Sequence, residues 1–276
     1  MLWMVVFAGP VGAEETRPAG EYLFGVLPQR SALMTAQYWN PILEQVSRQA
    51  GIRLTLKTTR TAPEFNQALE RGEYDLVYSN TVFLPRLSAR GYRAILKPRA
   101  AAIRGHIVTL ETSGIDTLEA LRGQTVGFPS RGAFVGYAVP MDHLLRMDIR
   151  VQAVFGGNQE GIMGQLKAGK VMAAGVNSEL MRIFAQREKM RYRVLWESAP
   201  FENLPIAVLP RVAPEVIDGI QRVFAGLHDT PEGQRILGNS AAIIQQPPPF
   251  GFLPAGPENY QNYVEFYRTT LVQDIE

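Results

Sequence analysis

Cysteine is absent from this 276-residue chain, and other features that mark common protein classes are scarce. Without cysteine there can be no disulfide, no thiol nucleophile and no cysteine-based metal cluster. The chain has 28 basic and 26 acidic residues and a net charge of only +2, which argues against an extended nucleic-acid surface. No GxSxG, HExxH or P-loop motif is present, so the sequence does not support an enzyme. It predicts no cofactor.

The first thirteen residues have the pattern of a secretory signal. An uncharged apolar run, 2–9, is followed by the small residues Val11, Gly12 and Ala13 and then by Glu14, which is the arrangement that a signal peptidase requires. We therefore expect cleavage after Ala13 and a periplasmic protein. No basic residue precedes the run, and an apolar N-terminal strand is the alternative interpretation. No other apolar run approaches the ~20 residues of a membrane-spanning helix.

From Glu21 onward, segments in which apolar and polar residues alternate, as in a strand, are followed in turn by segments in which apolar residues recur at helical spacing. The first series predicts strands over 22–27, 52–57, 75–78, 92–97 and 106–111 and helices over 36–50, 62–71 and 82–89. The second predicts strands over 124–128, 150–155, 171–176 and 192–197 and helices over 116–121, 133–147, 159–168 and 178–188. The remainder is predicted to contain a strand, 206–209, a proline-rich loop, 246–256, and helices over 214–227, 230–237 and 258–272. This order predicts an α/β fold of two units, the first with a mostly parallel sheet.

The stretch 124–145 predicts a strand, a turn of small residues and a helix. Pro129, Ser130 and Gly132 suit such a turn, and the first N–H groups of the following helix have no acceptor within it. These groups favour an anion above the end of the strand. An ordinary tight connection, which needs small residues only for packing, is the alternative. Pro140 should kink the helix or mark where its regular part begins, because proline lacks a backbone donor.

Seven stretches, in this order, resemble one family of proteins. They cover nearly the whole chain after the predicted signal and are FGVLPQ (24–29), RGEYDLVYSNTVFL (71–84), GYRAILKPRA (91–100), LEALRGQTVGFPSRGAFVGYAVP (118–140), LKAGKVMAAGV (166–176), RVLWESAPFENLPIAVLP (193–210) and TPEGQRIL (230–237). The chain resembles the phosphate, phosphite and phosphonate substrate-binding proteins of ABC importers.

The resemblance implies a type 2 periplasmic binding protein, in which two Rossmann-like lobes are joined by a two-crossover hinge around a ligand cleft. Residues 21–110 and 206–276 would form the first lobe and 111–205 the second, with hinges near 111–114 and 202–205. A ligand that touches both lobes would stabilise the closed form. The implied partners are a small ligand and an ABC permease or sensor protein at the inner membrane. We expect a monomer that catalyses no reaction.

In the implied fold, the carboxyl ends of strands and the N-termini of helices line the cleft, so candidate ligand contacts follow from position. From the first lobe these are Pro28, Gln29, Tyr78, Ser79, Asn80 and Thr81. The remaining candidates are Ser130, Arg131, Gly132, Gln159, Glu160 and Asn177, together with His106 and Asn203 near the crossovers. The structural alternatives are packing for Tyr78, solvent exposure for Arg131, a helix-end charge for Glu160, a turn or cap for Asn80 and Asn177, and a backbone contact for His106.

Relatives that bind phosphonate usually carry Ser-Thr-Ser-Gly-Tyr in the central turn, whereas this chain has RGAFVGY over 131–137. Backbone N–H groups and Arg131 would then have to bind an oxyanion. The first hypothesis is a periplasmic solute-binding protein that captures a phosphonate- or phosphate-like oxyanion by hinge closure and delivers it to an ABC importer. The alternative is an accessory metal-binding or sensor-docking protein of the same fold, in which His106 with Glu160 or Met163 holds a soft or borderline cation.

Overall fold

Two separate β-sheets, one in each lobe, organise the computed structural model, which describes residues 20–276. The predicted signal segment, residues 1–13, lies outside the described residues. The strands of the described part are, in chain order, β1 (Glu21–Val26), β2 (Arg53–Thr58), β3 (Leu76–Tyr78), β4 (Arg93–Pro98), β5 (Gly105–Leu110), β6 (Thr125–Phe128), β7 (Gln152–Phe155), β8 (Ala173–Asn177), β9 (Tyr192–Glu197), β10 (Ile206–Val208) and β11 (Phe252–Pro254).

Helices connect most of these strands. They are α1 (Ala32–Ala50), α2 (Ala62–Glu70), α3 (Pro85–Ser88), α4 (Val139–Arg146), α5 (Gln159–Lys167), α6 (Ser178–Arg187), α7 (Pro214–Gly226), α8 (Pro231–Ile243) and α9 (Gln261–Thr269). Short 3-10 turns lie at Thr81–Phe83, Glu119–Leu121, Leu227–Asp229 and Pro257–Tyr260, and a π-helical turn, Phe134–Ala138, runs directly into α4. Among residues 20–276, no helix has both the length and the apolar character needed to cross a membrane.

The first sheet has the strand order β11-β4-β10-β3-β1-β2, and the second has the order β7-β6-β8-β5-β9. In the first sheet, β1 pairs in parallel with β2 and β3, whereas β10 is antiparallel to β3 and β4. In the second, β6 pairs in parallel with β7 and β8, whereas β5 is antiparallel to β8 and β9. The predicted two-unit α/β fold is confirmed, with a late strand, β10, inserted in the first sheet.

Strand β5 lies in the second sheet, so the predicted lobe boundary after residue 110 is wrong. Gly105 pairs with Asn177 of β8, and His106 pairs with Glu197 of β9. Strand β5 cannot join the first sheet beside β4, because β10 and β11 occupy both edges of β4. The sequence predicts no strand at β11, and without β11 that edge of β4 looks free.

The two chain segments that connect the lobes lie side by side. Ile103 and Phe201 exchange two backbone hydrogen bonds, with N···O distances of 2.7 and 2.8 Å. The first crossover is therefore near 99–104. The predicted hinge at 111–114 lies later in the chain, where a turn directly follows β5 within the second lobe. The predicted second hinge, 202–205, lies in the segment that returns to the first sheet at β10.

Aromatic side chains fill the space beside these crossovers. The ring of Phe134, from the second lobe, stacks on Tyr263 of α9 with 4.2 Å between ring centroids. The rings of Phe201 and of Phe83, which belongs to the first lobe, each lie 5.2 Å from that of Tyr263. Helix α9 therefore packs where the two lobes meet.

Residues 270–276 form a segment, here named the C-terminal strap, that runs along the second lobe. Its first two residues donate hydrogen bonds of 2.9 and 2.7 Å to Asp142 Oδ1. Further on, Asp274 accepts hydrogen bonds from Tyr137 Oη at 2.5 Å and Arg131 Nε at 2.8 Å. Partial burial alone would raise the pKa of Asp274, but these two hydrogen bonds outweigh burial, and the pKa is lowered.

Replacing the strap carboxylate, Asp274→Asn, should lower the free energy of unfolding by about 0.5–1 kcal/mol at pH 7. The loss is small because the Asp274 side chain is 51% exposed. Since its pKa is lower in the folded protein, the stabilisation is present above the unfolded-state value of about 3.9. It disappears as the pH falls through the folded-state value. Urea titrations at pH 7 and about pH 3 should therefore show a smaller difference between the variant and the unmodified protein at the lower pH.

The matched control is Asp218→Asn, on the exposed face of α7, where the described part of the chain provides no ion pair to Asp218. This variant should unfold like the unmodified protein at both pH values. Equal stabilities of the two variants at pH 7 would mean that the Asp274 contacts contribute nothing.

Candidate functional site

A cavity of about 980 Å³ lies between the lobes, at the carboxyl ends of strands from both sheets. We name it the main cavity. The first lobe contributes the segments that follow β1 and β2, and the second contributes the turn after β6 and the start of α5. Ligands of open α/β sheets bind at such strand ends. Of the predicted site residues, the main cavity is lined by Pro28, Gln29, Asn80, Ser130, Gly132, Gln159 and Asn177.

A second cavity of about 280 Å³, the side cavity, adjoins the main one near the first crossover. Two further predicted residues, Tyr78 and Asn203, line it. The ring of Tyr78 also packs against Trp39 in the core of the first lobe, at 4.9 Å between centroids. Gln29, Arg30, Ile103 and Asn177 line both cavities.

Arg30 is the cationic residue at the junction of these cavities. Its side chain lies near Tyr38 and Tyr78, and within residues 20–276 no carboxylate is within ion-pair distance of it. Burial lowers the pKa of Arg30 and raises the pKa of Tyr38 to about 12. At neutral pH a charged guanidinium therefore faces neutral phenols. A half-buried cation without a counterion is costly to the protein alone and favourable to an incoming anion.

The sequence prediction stops one residue short of Arg30. It includes Pro28 and Gln29, at the carboxyl end of β1, but assigns the cationic contact to Arg131. The available signal was a basic residue four positions after a buried strand, directly before the helix cap Ser31.

The opening of the central helix forms the opposite wall. Phe134, Val135 and Gly136 line the main cavity and begin a helical segment that continues through α4 to Arg146. The first N–H groups of a helix have no acceptor within it, so this wall presents backbone donors. Pro140 has no N–H to give to the carbonyl of the preceding turn, and the helix is widened to a π-helical turn just before it.

Two glycines allow this opening to lie close to its neighbours. A Cβ on Gly136 would lie 2.6 Å from Nε2 of Gln159 and 2.9 Å from Cγ of Pro129. A Cβ on Gly175 of β8 would lie 2.6 Å from the carbonyl oxygen of Gly136. The helix opening is thus pressed against the second sheet, with the Gln159 amide beside it.

The amide side chains of the main cavity have different roles. Gln159 Oε1 accepts a hydrogen bond of 3.2 Å from the Asn177 backbone N–H. The Asn177 side chain caps α6 by accepting hydrogen bonds from Glu179 N and Leu180 N. It is therefore a helix cap, which is the alternative to a ligand contact given for it from the sequence. Asn80 is buried at the rim and caps no helix. Its side chain hydrogen-bonds Tyr263, and the remaining polar positions of its amide are available for a ligand contact.

Arg131 lies outside the main cavity, which contradicts its predicted ligand contact. Its Nε donates to Asp274 of the C-terminal strap, and its guanidinium carbon lies 4.7 Å from the centroid of the Phe155 ring. The strap carboxylate holds the side chain on the outer side of the turn. The sequence gives no sign that the strap passes there.

Ser79 and Thr81 are also turned away from both cavities. Both are buried, and their hydroxyl oxygens are 2.8 Å apart and hydrogen-bonded to each other. Ser79 Oγ also accepts from the Thr81 backbone N–H at 3.1 Å. The pair closes the turn after β3 and leaves the cavity wall to Asn80.

Glu160 and His106 are likewise placed away from the cavities. Both carboxylate oxygens of Glu160 accept from Arg187, at 3.0 and 2.6 Å, and His106 Nε2 lies 2.8 Å from Oε2 of Glu197. Met163 is buried in the core of the second lobe. The three side chains of the metal hypothesis thus have separate partners, and residues 20–276 contain no group of three or more histidine or acidic side chains placed to hold a metal.

The family described as the periplasmic substrate-binding protein of phosphonate ABC transporters matches residues 24–247. Among solved structures, PhnD1 from Prochlorococcus marinus in complex with methylphosphonate is similar, with a TM-score of 0.75 at 14% identity over 90% of this chain and 97% of that chain. A binding-protein component of a phosphonate ABC transporter from Pseudomonas aeruginosa has a TM-score of 0.72 at 17% identity over 90% of this chain and 86% of that chain. XAC2383 from Xanthomonas citri bound to ATP has a TM-score of 0.72 at 17% identity over 91% of this chain and 96% of that chain. No curated protein matches.

The structural similarities support the fold, since all three identities are below 25%. The family match rests on sequence and extends over most of the chain. It confirms the predicted resemblance and the predicted role of ligand capture for an importer. The chain belongs to the family of periplasmic substrate-binding proteins of phosphonate ABC transporters.

Proposed function

We propose that the protein captures a phosphonate- or phosphate-like oxyanion in the main cavity by hinge closure and delivers it to an ABC permease, without chemical change to the ligand. Arg30 of the first lobe would form the charged contact. The N–H groups that open the central helix, Phe134 to Gly136, would bind the same anion from the second lobe, with Asn80 and Gln159 completing its hydrogen bonds.

The observation that carries the proposal is the unpaired guanidinium of Arg30 at a cavity lined by both lobes. Guanidinium groups bind planar pairs of phosphonate or phosphate oxygens through two parallel hydrogen bonds. The cost of removing Arg30 from water is already present in the free protein. An anion therefore gains more there than beside an exposed cation.

Backbone donors on the opposite wall substitute for the hydroxyl side chains that phosphonate-binding relatives usually carry in the central turn. Ala133, Phe134 and Val135 have no polar side-chain atoms. The Ala133 N–H donates to the Ser130 carbonyl at 3.1 Å, so the N–H groups of Phe134, Val135 and Gly136 would bind the anion at the helix opening. A ligand that touches Arg30 and this opening together interacts better with the closed than with the open form. That difference is the condition for ligand-driven closure.

The remaining assignments follow from the family. We propose that the protein acts in the periplasm as a monomer, exported by the segment that ends at Ala13, and that the closed form is what the membrane permease recognises. The lobes meet along paired crossovers and the aromatic contacts of Tyr263, which suits rotation of one lobe against the other.

Arg30→Ala should weaken the binding of methylphosphonate about 10–100-fold, because a charge-assisted hydrogen bond contributes about 1.5–3 kcal/mol. Arg30→Lys should recover part of the affinity, since an ammonium keeps the charge but loses the paired hydrogen bonds. Isothermal titration calorimetry with methylphosphonate and with inorganic phosphate measures both effects.

Arg131→Ala is the matched control, because Arg131 carries the same charge but is paired with the strap. Its affinity should stay within about two-fold of the unmodified protein. A large loss in Arg131→Ala together with an unchanged Arg30→Ala would reverse the assignment of the cationic contact.

Gly136→Ala should weaken anion binding by about ten-fold, because the new methyl group must displace Gln159 or the helix opening itself. Gly164→Ala in α5 is the control, since a methyl group there meets no atom within 4 Å. It should bind normally and be slightly more stable. Equal affinities of the two variants would show that the helix opening does not contact the ligand.

A further inference from the structure

The side cavity extends from Arg30 away from the central helix. It shares Gln29, Arg30, Ile103 and Asn177 with the main cavity, so the two spaces meet at the guanidinium. Both lobes and the first crossover contribute to its walls. A ligand whose anionic group contacts Arg30 in the main cavity can therefore place a second group in the side cavity.

Beyond Arg30, rings and aliphatic side chains supply much of the side-cavity lining. They include Tyr38, Tyr78, Leu180, Ile183 and Ile244, with Pro247–Pro249 at the outer edge. The Tyr38 hydroxyl donates to Gln246 Oε1 at 3.3 Å. That hydroxyl is therefore engaged, and the ring is what Tyr38 offers to a ligand.

Two carboxylates line the cavities, and the one in the side cavity is ion-paired. Glu179, in the side cavity, accepts two hydrogen bonds from Arg182, at 2.9 and 2.5 Å. Glu64, at the rim of the main cavity, accepts from the backbone N–H of Arg60 at 3.2 Å. In the described residues, the one charged group at the junction without an ion-pair partner is a cation, Arg30. In the side cavity, an ammonium group on a ligand would thus lose water, find Glu179 already paired with Arg182 and be repelled by Arg30.

We propose that the substrate is a phosphonate with an uncharged, apolar organic substituent, an alkyl or aryl group, that occupies the side cavity between Tyr78, Ile183 and Ile244. This inference rests on the proposed function, which provides the anionic contact. A cavity of about 150 Å³ accommodates a benzene ring in a protein interior. A side cavity of about 280 Å³ therefore has room for an aryl group or a short alkyl chain.

The test compares ligands that share the phosphonate group and differ in the substituent. Calorimetric titrations of the full chain use methylphosphonate, n-butylphosphonate and 3-aminopropylphosphonate, the last two having chains of equal length. Each buried methylene should raise affinity about four-fold. We expect n-butylphosphonate to bind at least ten-fold more tightly than methylphosphonate, and 3-aminopropylphosphonate to bind no more tightly than methylphosphonate.

A variant then locates the substituent. Ile183→Ala should reduce the preference of n-butylphosphonate over methylphosphonate by about five-fold while leaving the affinity for methylphosphonate unchanged. Val264→Ala, which truncates an apolar side chain exposed on α9, should preserve the preference. A preference unchanged in Ile183→Ala would place the substituent elsewhere and overturn the inference.

The outcomes separate the two proposals. If methylphosphonate binds and depends on Arg30, but n-butylphosphonate binds no better or the amine binds best, the apolar-substituent inference is wrong and the proposed function stands. If neither methylphosphonate nor phosphate binds, and n-butylphosphonate also fails, both are overturned.

Discussion

The guanidinium of Arg30 is the constraint on which the rest of the site depends. The end of β1 places it between two tyrosines, where water is restricted and no acidic side chain forms an ion pair with it within residues 20–276. A charge in such a place is an unfavourable feature of the empty protein. Its presence is understandable if the protein's working state includes an anion, and both cavities adjoin this guanidinium.

The second lobe faces the main cavity with the opening of its central helix, and the packing of that helix sets its position. Pro140 and Gly175 allow the central helix to open as a wide turn pressed against the sheet, and its first residues line the main cavity. The same turn carries Phe134, whose ring stacks on Tyr263 beside the crossovers. The element that would contact the anion is therefore also the element that joins the moving lobe to the C-terminal helix. In the proposed function, ligand contact and lobe orientation would be coupled through this element.

Periodicity in the sequence was sufficient to predict an α/β chain of two units, because most helices and strands keep one apolar face over several residues. The arrangement as two lobes around a cleft came from the family resemblance. Periodicity failed where partners are remote in sequence. The sequence places strand β5 in the first lobe, whereas the structure excludes it from that sheet because β11, formed by an irregular proline-rich stretch, occupies the edge of β4. Likewise, Arg131 and Arg30 both follow strand ends, and only the distant residue Asp274 decides that Arg131 turns outward. Local patterns identify elements, whereas long-range contacts decide which side chains are available.

The contact between Tyr78 and Trp39 makes the intrinsic fluorescence of Trp39 sensitive to the side cavity. Trp39 is buried one side chain away from the side cavity, so a ligand that shifts the Tyr78 ring changes the surroundings of the indole. Trp196, in the other lobe, stacks on His143 at 4.3 Å and lines neither cavity. Once the predicted signal, which contains the third tryptophan, Trp3, is removed, occupancy of the cleft should therefore be visible in the emission of Trp39, with Trp196 as an internal reference.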